Sequence, residues 1–320
     1  MSSFISSFNS DVKALLLTLL ILGLADFALR LAEEKLSIDV QHIRSFPRIA
    51  RELSAQPAPR VVFLGNSLTR YAVDPDAWAS ALKELGAPKG AMAKLVPDDT
   101  TMPDWYYVAL NTLIRPGYPP EVLIVGFSLD QLTDERIEAP RLGAYFCNNR
   151  NVRELFTRDL DGLGAKCDFL LGWLCRLYGV RDQMQARFGE AFIPGYVEGV
   201  THLNQILRRR HQTSIGKVRS YKLLDRALAL WRAQGIEVVL VAIPIPSNYE
   251  IDPAVIRKAH AAGARFIDAR NLPRLTREDF PDGYHMGPRA AKLYTRFVAE
   301  RVANTLRANA RPPGMTARAK

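Results

Sequence analysis

Short apolar runs alternate with helical patterns along most of the chain between residues 60 and 310. The runs are four to eight residues long and end at glycine, proline or polar residues, which predicts buried strands. The segments between them carry apolar residues three or four apart, which predicts amphipathic helices. The predicted strands are 61–64, 91–96, 122–125, 236–243 and 265–268, and the predicted helices are 76–85, 105–114, 217–233, 253–262 and 289–308.

Strands that alternate with helices favour a parallel sheet with helices on both faces, a three-layer α/β/α architecture. Residues 131–216 break this rhythm, because they are mostly helical in pattern and rich in leucine and aromatic residues. We interpret this stretch as a helical insertion. It is either a cap over the strand ends or a side subdomain with no role at a site.

The N-terminus is strongly apolar. Residues 14–25 are wholly apolar except for Thr18, and the pattern continues to residue 32, about the length that crosses a bilayer. A signal anchor is the preferred interpretation. A cleaved signal peptide is the second alternative, but no clear small-residue cleavage site follows the apolar run. A buried or interfacial amphipathic helix is the third. We therefore expect a tail and transmembrane anchor over 1–35, a stalk over 36–59 and a globular domain over 60–320.

Charges around the apolar segment give conflicting indications of its orientation. Lys13 precedes the segment, whereas Arg30, Lys35, Arg44 and Arg48 follow it, and this bias alone would place the large domain in the cytoplasm. An N-terminal anchor followed by a large domain is, however, the usual architecture of an exported enzyme. We expect a single-pass protein of the inner (cytoplasmic) membrane with a periplasmic domain.

Composition narrows the class of protein. Hydrophobic residues make up 48% of the chain and charged residues 24%, as in ordinary globular proteins. The net charge of +10 fits either an anionic partner or a solvated basic surface, and without a nucleic-acid motif we expect no nucleic-acid partner. Three cysteines without a CxxC pair give no zinc or thioredoxin motif, although one disulfide could form. No metal or dissociable cofactor is implied.

The candidate chemistry lies near the two ends of the globular domain. Ser67 follows the apolar run 61–64 and Gly65, which places its hydroxyl where ligands bind in open α/β folds. Asp282 and His285 are three residues apart near the C-terminus. A serine becomes nucleophilic when a base takes its proton and a third group orients that base. The alternatives are a helix-capping role for Ser67 and a turn role for Asp282.

These two segments resemble the first and last blocks of the SGNH (GDSL-like) hydrolase superfamily. Val61-Val62-Phe63-Leu64-Gly65-Asn66-Ser67 is similar to the family's strand followed by Gly-Asp-Ser, and Asp282-Gly283-Tyr284-His285 to its Asp-x-x-His. The resemblance covers residue 60 to the end, apart from the insertion. It implies a flavodoxin-like five-stranded sheet, with Ser67 as nucleophile, His285 as general base and Asp282 as its partner.

The chain departs from the family pattern where the oxyanion donors are expected. Asn66 stands in place of the usual aspartate, Asp98 falls near the glycine of the second block, and no asparagine follows the third strand. The oxyanion candidates are therefore the backbone N–H of Ser67, Asp98, and the hydroxyl of Ser128. Ser128 is also a rival nucleophile in Gly126-Phe127-Ser128, although Asp130 replaces the second glycine of a G-x-S-x-G elbow.

The resemblance implies a membrane-anchored serine esterase or O-acyltransferase that acts on acetyl-like O-acyl groups, with envelope polysaccharide as the expected substrate. An acylated saccharide or a lipid ester would be the substrate, and a membrane-bound O-acyltransferase would be the protein partner. Two alternatives stay open. One is an accessory subunit of an acylation complex with weak catalysis, and the other is a lipid-facing esterase held at the membrane for access to its substrate.

Overall fold

The computed structural model of the protein describes residues 2–134, 137–196, 199 and 219–310. The strands are Arg60–Leu64 (β1), Ala91–Leu95 (β2), Val122–Phe127 (β3), Glu237–Ala242 (β4) and Arg265–Asp268 (β5). The α-helices are Ser2–Leu36 (α1), Ile38–Ser54 (α2), Ser67–Ala72 (α3), Pro75–Glu84 (α4), Met102–Ala109 (α5), Ala139–Arg141 (α6), Val152–Glu154 (α7), Gly162–Leu174 (α8), Arg176–Gly179 (α9), Arg181–Phe192 (α10), Lys222–Ala233 (α11), Pro253–Ala261 (α12) and Pro288–Asn309 (α13).

The chain divides into two compact units. One comprises Met1–Gln41 and Glu138–His211, and the other comprises His42–Ile137 and Gln212–Lys320. The second unit contains all five strands.

The sheet has the strand order β2-β1-β3-β4-β5, and every neighbouring pair is parallel. This is the flavodoxin-like order, and it confirms the predicted α/β class with a parallel five-stranded sheet. Leu64, the last residue of β1, is in register with Leu95 of β2 and Val125 of β3. The turns that follow these strands therefore leave the sheet at the same edge.

Burial explains why the strands could be recognised from the sequence. Each side chain of β3, and all of those of β4 after Glu237, is buried. A strand covered on both faces reads as a continuous apolar run rather than an alternating one. The terminal helix α13 buries a face that includes Tyr294, Val298 and Val302, whose four-residue spacing is that of one helix face.

The structure folds residues 38–54 into a helix where we expected a stalk. Ile43, Phe46, Ala50 and Leu53 of α2 are all buried, at spacings of three, four and three residues. This is the apolar stripe of an amphipathic helix, and the charged residues between its members hid it in the sequence. The buried stripe makes α2 part of the folded protein and not an extended linker.

The other unit contains α1 and the insertion helices α6 to α10. By length and composition, Ser10–Lys35 of α1 fits a transmembrane span or a signal sequence. The expected insertion 131–216 is helical where it is described, while its residues 135–136, 197–198 and 200–216 lie outside the described residues, as do 217–218 of the predicted helix 217–233. No disulfide joins Cys147, Cys167 and Cys175.

Candidate active site

The nucleophile candidate begins a short helix directly after the first strand. β1 ends at Leu64, and Ser67 is the first residue of α3. Asn66 caps this helix, since its side-chain oxygen accepts a hydrogen bond from the Leu68 N–H at 3.0 Å. The first N–H groups of a helix have no acceptor within the helix. The Ser67 N–H therefore has no acceptor within α3, and it lies at the edge where β1 ends.

The structure brings Ser67, His285 and Asp282 together. The His285 Nε2 atom lies 2.9 Å from the Ser67 hydroxyl oxygen, and its Nδ1 atom lies 2.6 Å from Asp282 Oδ2. Ser67 and His285 are 218 residues apart in the chain, so only the fold accounts for their contact. Both distances are within hydrogen-bond range.

Asp282 accepts hydrogen bonds from its own turn as well as from the imidazole. Its Oδ1 atom accepts from the backbone N–H groups of Tyr284 at 2.9 Å and His285 at 2.7 Å. Gly283, between them, has a φ of +74°, a backbone conformation that glycine adopts without a steric penalty. The sequence Asp-Gly-Tyr-His thus builds a turn that holds the carboxylate against the ring.

These contacts set the charge and the tautomer of the pair. Burial acts to raise the pKa of Asp282, but the hydrogen bonds from the His285 ring and the two backbone N–H groups outweigh it, and the pKa is lowered. The carboxylate is therefore charged at neutral pH and accepts a proton-bearing Nδ1. The lone pair of the neutral ring then lies on Nε2, facing Ser67. This arrangement can take the proton of the serine hydroxyl.

Two tyrosines flank the imidazole, and neither was predicted from the sequence to lie at the site. The ring centroids of Tyr71 and Tyr284 lie 4.8 and 5.0 Å from that of His285. Tyr71 is four residues after Ser67 in α3, so the two share a helix face. This four-residue spacing was the signal in the sequence that could have placed Tyr71 near the site. The two rings restrict the positions that the imidazole can adopt.

The loop after β2, residues 96–100, is fastened to the helix that carries Ser67. The Asn66 side-chain N–H group donates to the Thr100 carbonyl at 2.9 Å. Arg70 of α3 donates to Asp98 Oδ2 at 3.1 Å and to the Val96 carbonyl at 2.9 Å. A carboxylate only accepts hydrogen bonds, so Asp98 could serve an oxyanion only through its backbone N–H.

The amide of Asn66 both accepts and donates a hydrogen bond, which a carboxylate at this position could not do. It is 4% exposed, accepts from Leu68 and donates to Thr100. We expect Asn66→Asp to lower the free energy of unfolding by about 2 to 4 kcal/mol at pH 7, because a buried carboxylate would face the Thr100 carbonyl without a proton to donate. Denaturant unfolding measures this change.

The matched control is Asn304→Asp. Asn304 is exposed, and its side-chain oxygen accepts from Arg307, a role that a carboxylate can take over. We expect this control to stay within about 0.5 kcal/mol of wild type. Equal stability of the two variants would show that the Asn66–Thr100 hydrogen bond contributes little.

Ser128 directly follows β3 but offers no accessible group. Its side chain is 0% exposed, and its N–H donates to the Gln131 side-chain oxygen at 2.8 Å. The hydroxyl has no hydrogen-bond partner among the described residues. This burial argues against the expected oxyanion role of the Ser128 hydroxyl and against Ser128 as the rival nucleophile.

Close packing of two glycines positions the turn before Ser67. A Cβ atom on Gly65 would lie 2.0 Å from Thr69 Oγ1 and 2.9 Å from the Gly126 carbonyl oxygen. A Cβ atom on Gly126 would lie 2.4 Å from the same hydroxyl. Only glycine at both positions lets α3 approach β3 this closely.

We expect Gly65→Ala to destabilise the protein by about 3 kcal/mol and to lower any activity that depends on Ser67, because the added methyl group must push α3 away from the sheet. Thermal unfolding and ester hydrolysis measure the two effects. Adding Thr69→Ala removes the shortest contact and should restore part of the stability. Gly164→Ala is the control, since a Cβ atom there meets nothing within 4 Å; a comparable loss in that variant would contradict the packing argument.

Among the described residues, no group of three or more His, Cys, Asp or Glu side chains could hold a metal ion. The reactive side chains that the structure brings together at this site are Ser67, His285 and Asp282. The sequence could not assign two of the usual oxyanion donors. Backbone N–H groups are common to nearly all residue types and leave no signal in the sequence.

The fold is similar to that of a solved structure at low sequence identity. The chain is similar to the crystal structure of the lipase/acylhydrolase from Enterococcus faecalis, with 11% sequence identity and a TM-score of 0.40, over 78% of this chain and 97% of that chain. No model of a known protein family and no curated protein matches the chain. A likeness this distant carries no argument about activity, so the function is argued from the site.

Proposed function

We propose that the protein is a serine hydrolase or acyltransferase of the SGNH type that acts on O-acyl esters. The observation that supports this most strongly is the chain of short contacts from the Ser67 hydroxyl to the His285 ring and on to the Asp282 carboxylate. It lies at the edge where the parallel strands end, the usual ligand-binding edge of such sheets. A nucleophile, a base and an orienting acid in hydrogen-bond contact are the elements of covalent acyl transfer.

In the proposed reaction His285 Nε2 takes the proton of Ser67 as the serine oxygen attacks the ester carbonyl. Asp282 stabilises the imidazolium that forms. The imidazolium then gives its proton to the departing alkoxide, which leaves an acyl group on Ser67. Water or a sugar hydroxyl, deprotonated by His285, then attacks this acyl-enzyme. The bond between the acyl group and the Ser67 oxygen breaks, the imidazolium returns its proton to that oxygen, and the acid or the acylated acceptor is released.

The developing negative charge on the substrate oxygen needs nearby N–H donors. The Ser67 N–H at the start of α3 is the donor that we assign. The backbone of the loop 96–100, fastened to α3 through Asn66 and Arg70, is the proposed source of a second donor. Loss of one such donor typically lowers the rate by a factor of about 10² to 10³.

We propose envelope polysaccharide carrying acetyl-like groups as the substrate and the inner membrane as the location, with the hydrolase domain on the outer side. The apolar helix α1 supports a membrane anchor. A membrane-bound O-acyltransferase is the proposed partner, since it would deliver or receive the acyl groups. The net charge of +10 suits an acidic polymer.

The second candidate function is an accessory subunit of an acylation complex with weak catalysis. The observation that favours it is the state of Ser128, whose hydroxyl is buried and whose N–H already donates to Gln131. The donor expected after the third strand is therefore not supplied by this residue.

A fluorophosphonate probe separates the two functions. We expect the probe to label the full-length wild-type protein in detergent and not to label the Ser67→Ala variant. Equal labelling of wild type and variant, or none in either, would contradict the hydrolase proposal and favour the accessory role. With an acetyl ester donor and a polysaccharide acceptor, release of acetate indicates an esterase, whereas acetylated polymer indicates a transferase.

A further inference from the structure

The apolar surface of α1 continues beyond its first charged residues. Phe27 and Leu31 are 60% and 68% exposed, although each directly follows a charged residue, Asp26 and Arg30 respectively. One face of α1 therefore stays apolar for more than one turn after Asp26. The charged pair lies on another face.

Length shows that these turns are needed to cross a bilayer. Twelve residues, 14–25, separate Lys13 from Asp26, and they rise about 18 Å as a helix. The hydrocarbon core of a bilayer is about 30 Å thick. If α1 spans the membrane, the level of residues 26–31 must lie in the outer part of the hydrocarbon core or in the headgroup interface.

The insertion contacts α1 at this same level. Arg30 binds Asp26 at 2.7 Å and donates a second hydrogen bond to the Leu174 carbonyl at 2.7 Å. Asp26 Oδ1 accepts from the Leu177 N–H at 2.9 Å. One turn further on, Glu33 is 3% exposed and pairs with Arg176 at 3.1 Å. The end of α8 and the start of α9 therefore lie at the depth of Asp26 and Arg30.

Exposed apolar side chains surround this contact. Leu171 and Leu174 of α8 are 46% and 68% exposed, and Phe188 and Phe192 of α10 are 57% and 74% exposed with their rings stacked at 5.9 Å. The two phenylalanines line an apolar groove together with Leu29 of α1. Large apolar side chains that stay exposed near one another are typical of a membrane or protein contact.

We propose that the edge formed by Leu171, Leu174, Phe188, Phe192 and Ile193 inserts into the membrane interface beside α1. This would give the protein a second, monotopic membrane contact. The bilayer is the occupant that the geometry favours, because Leu174 contacts Arg30 and the two phenylalanines share a groove with Leu29. Both contacts lie at the depth that the length of α1 assigns to the interface. This inference rests on the proposed role of α1 as an anchor.

Tryptophan quenching by brominated lipids tests the depth of this edge. Trp78, Trp105 and Trp231 are fully buried in the other unit, so Trp173→Phe gives a background with little response. Into this background Phe192→Trp reports the edge, Leu20→Trp reports the middle of α1, and Arg153→Trp reports an exposed polar position of the same unit. The full-length variants are reconstituted in liposomes with bromine near the ester end or near the methyl end of the acyl chains.

We expect bromine near the ester end to quench Phe192→Trp at least twofold more than Arg153→Trp, and bromine near the methyl end to quench Leu20→Trp. The inference would be overturned, and the anchor left in place, if Leu20→Trp is quenched but Phe192→Trp is quenched no more strongly than Arg153→Trp. Absence of quenching at Leu20→Trp would overturn both the anchor and the inference. Neither result would affect the assignment of Ser67.

Discussion

Replacing Ser67 by alanine is expected to lower kcat/KM for a short-chain aryl ester by a factor of about 10⁴ to 10⁶. The side chain supplies the attacking oxygen, and alanine has no group that could replace it. Steady-state hydrolysis by the full-length protein measures the change. Thermal unfolding should stay close to wild type, since the Ser67 side chain is only partly buried and its helix is capped by Asn66.

Ser128→Ala is the matched control for this experiment. Its hydroxyl is fully buried without a partner among the described residues, so alanine removes an unsatisfied polar group. We expect activity within about threefold of wild type and stability unchanged or slightly increased. The reverse result, an active Ser67→Ala and an inactive Ser128→Ala, would show that the chemistry belongs to Ser128 and not to Ser67.

The second large effect is expected from Asp282→Asn. An amide can present an N–H group to His285 Nδ1, which favours the tautomer whose proton lies on Nε2 and faces Ser67. Such a ring cannot accept the serine proton, and we expect kcat to fall by a factor of about 10² to 10⁴. The lower part of this range is favoured because the Asp282 side chain is 54% exposed and water can partly replace its contact.

Asp268→Asn controls for the loss of a surface carboxylate. Asp268 ends β5 and pairs with Arg270 at 2.8 Å. The hydrogen bonds from Arg270 lower the pKa of Asp268, so both Asp268 and Asp282 have a lowered pKa. We expect Asp268→Asn to keep activity within about threefold of wild type. Equal losses in the two variants would mean that the carboxylates act on stability and not on His285.

The direction of the Asp282 pKa also fixes a pH dependence. Because the folded-state pKa is lowered, the stability that the carboxylate contributes is present above its ordinary pKa of about 3.9 and is lost as the pH falls through the lowered value. Loss of activity between pH 8 and pH 5 would therefore have to come from another group than Asp282.

The sequence predicted most of the sheet and the outline of the site. Strands such as β3 and β4 are buried on both faces, so their apolar runs stand out in a single sequence. The order of the blocks containing Ser67 and His285, at opposite ends of the domain, indicated that they meet. Their hydrogen-bond contact depends on the parallel order of the sheet and on the Asp282 turn, which the structure describes.

Other features depend on contacts that no local pattern encodes. Ser128 directly follows a strand, a position at which a side chain can be accessible. Its N–H instead donates to the Gln131 side chain, and its own side chain is buried. The apolar stripe of α2 is interrupted by charged residues and Pro47, which favoured a stalk over a helix. The Asn66 amide donates to the Thr100 carbonyl, which lies 34 residues away and could not be found from the local sequence.

Peptide mapping of the fluorophosphonate adduct tests the central claim most directly. After reaction of the full-length protein with the probe and proteolysis, mass spectrometry should find the phosphonyl group on Ser67, and pre-incubation with an acyl ester should slow its attachment. Modification of Ser128 or of scattered surface residues, or an unmodified Ser67 after complete reaction, would contradict the account.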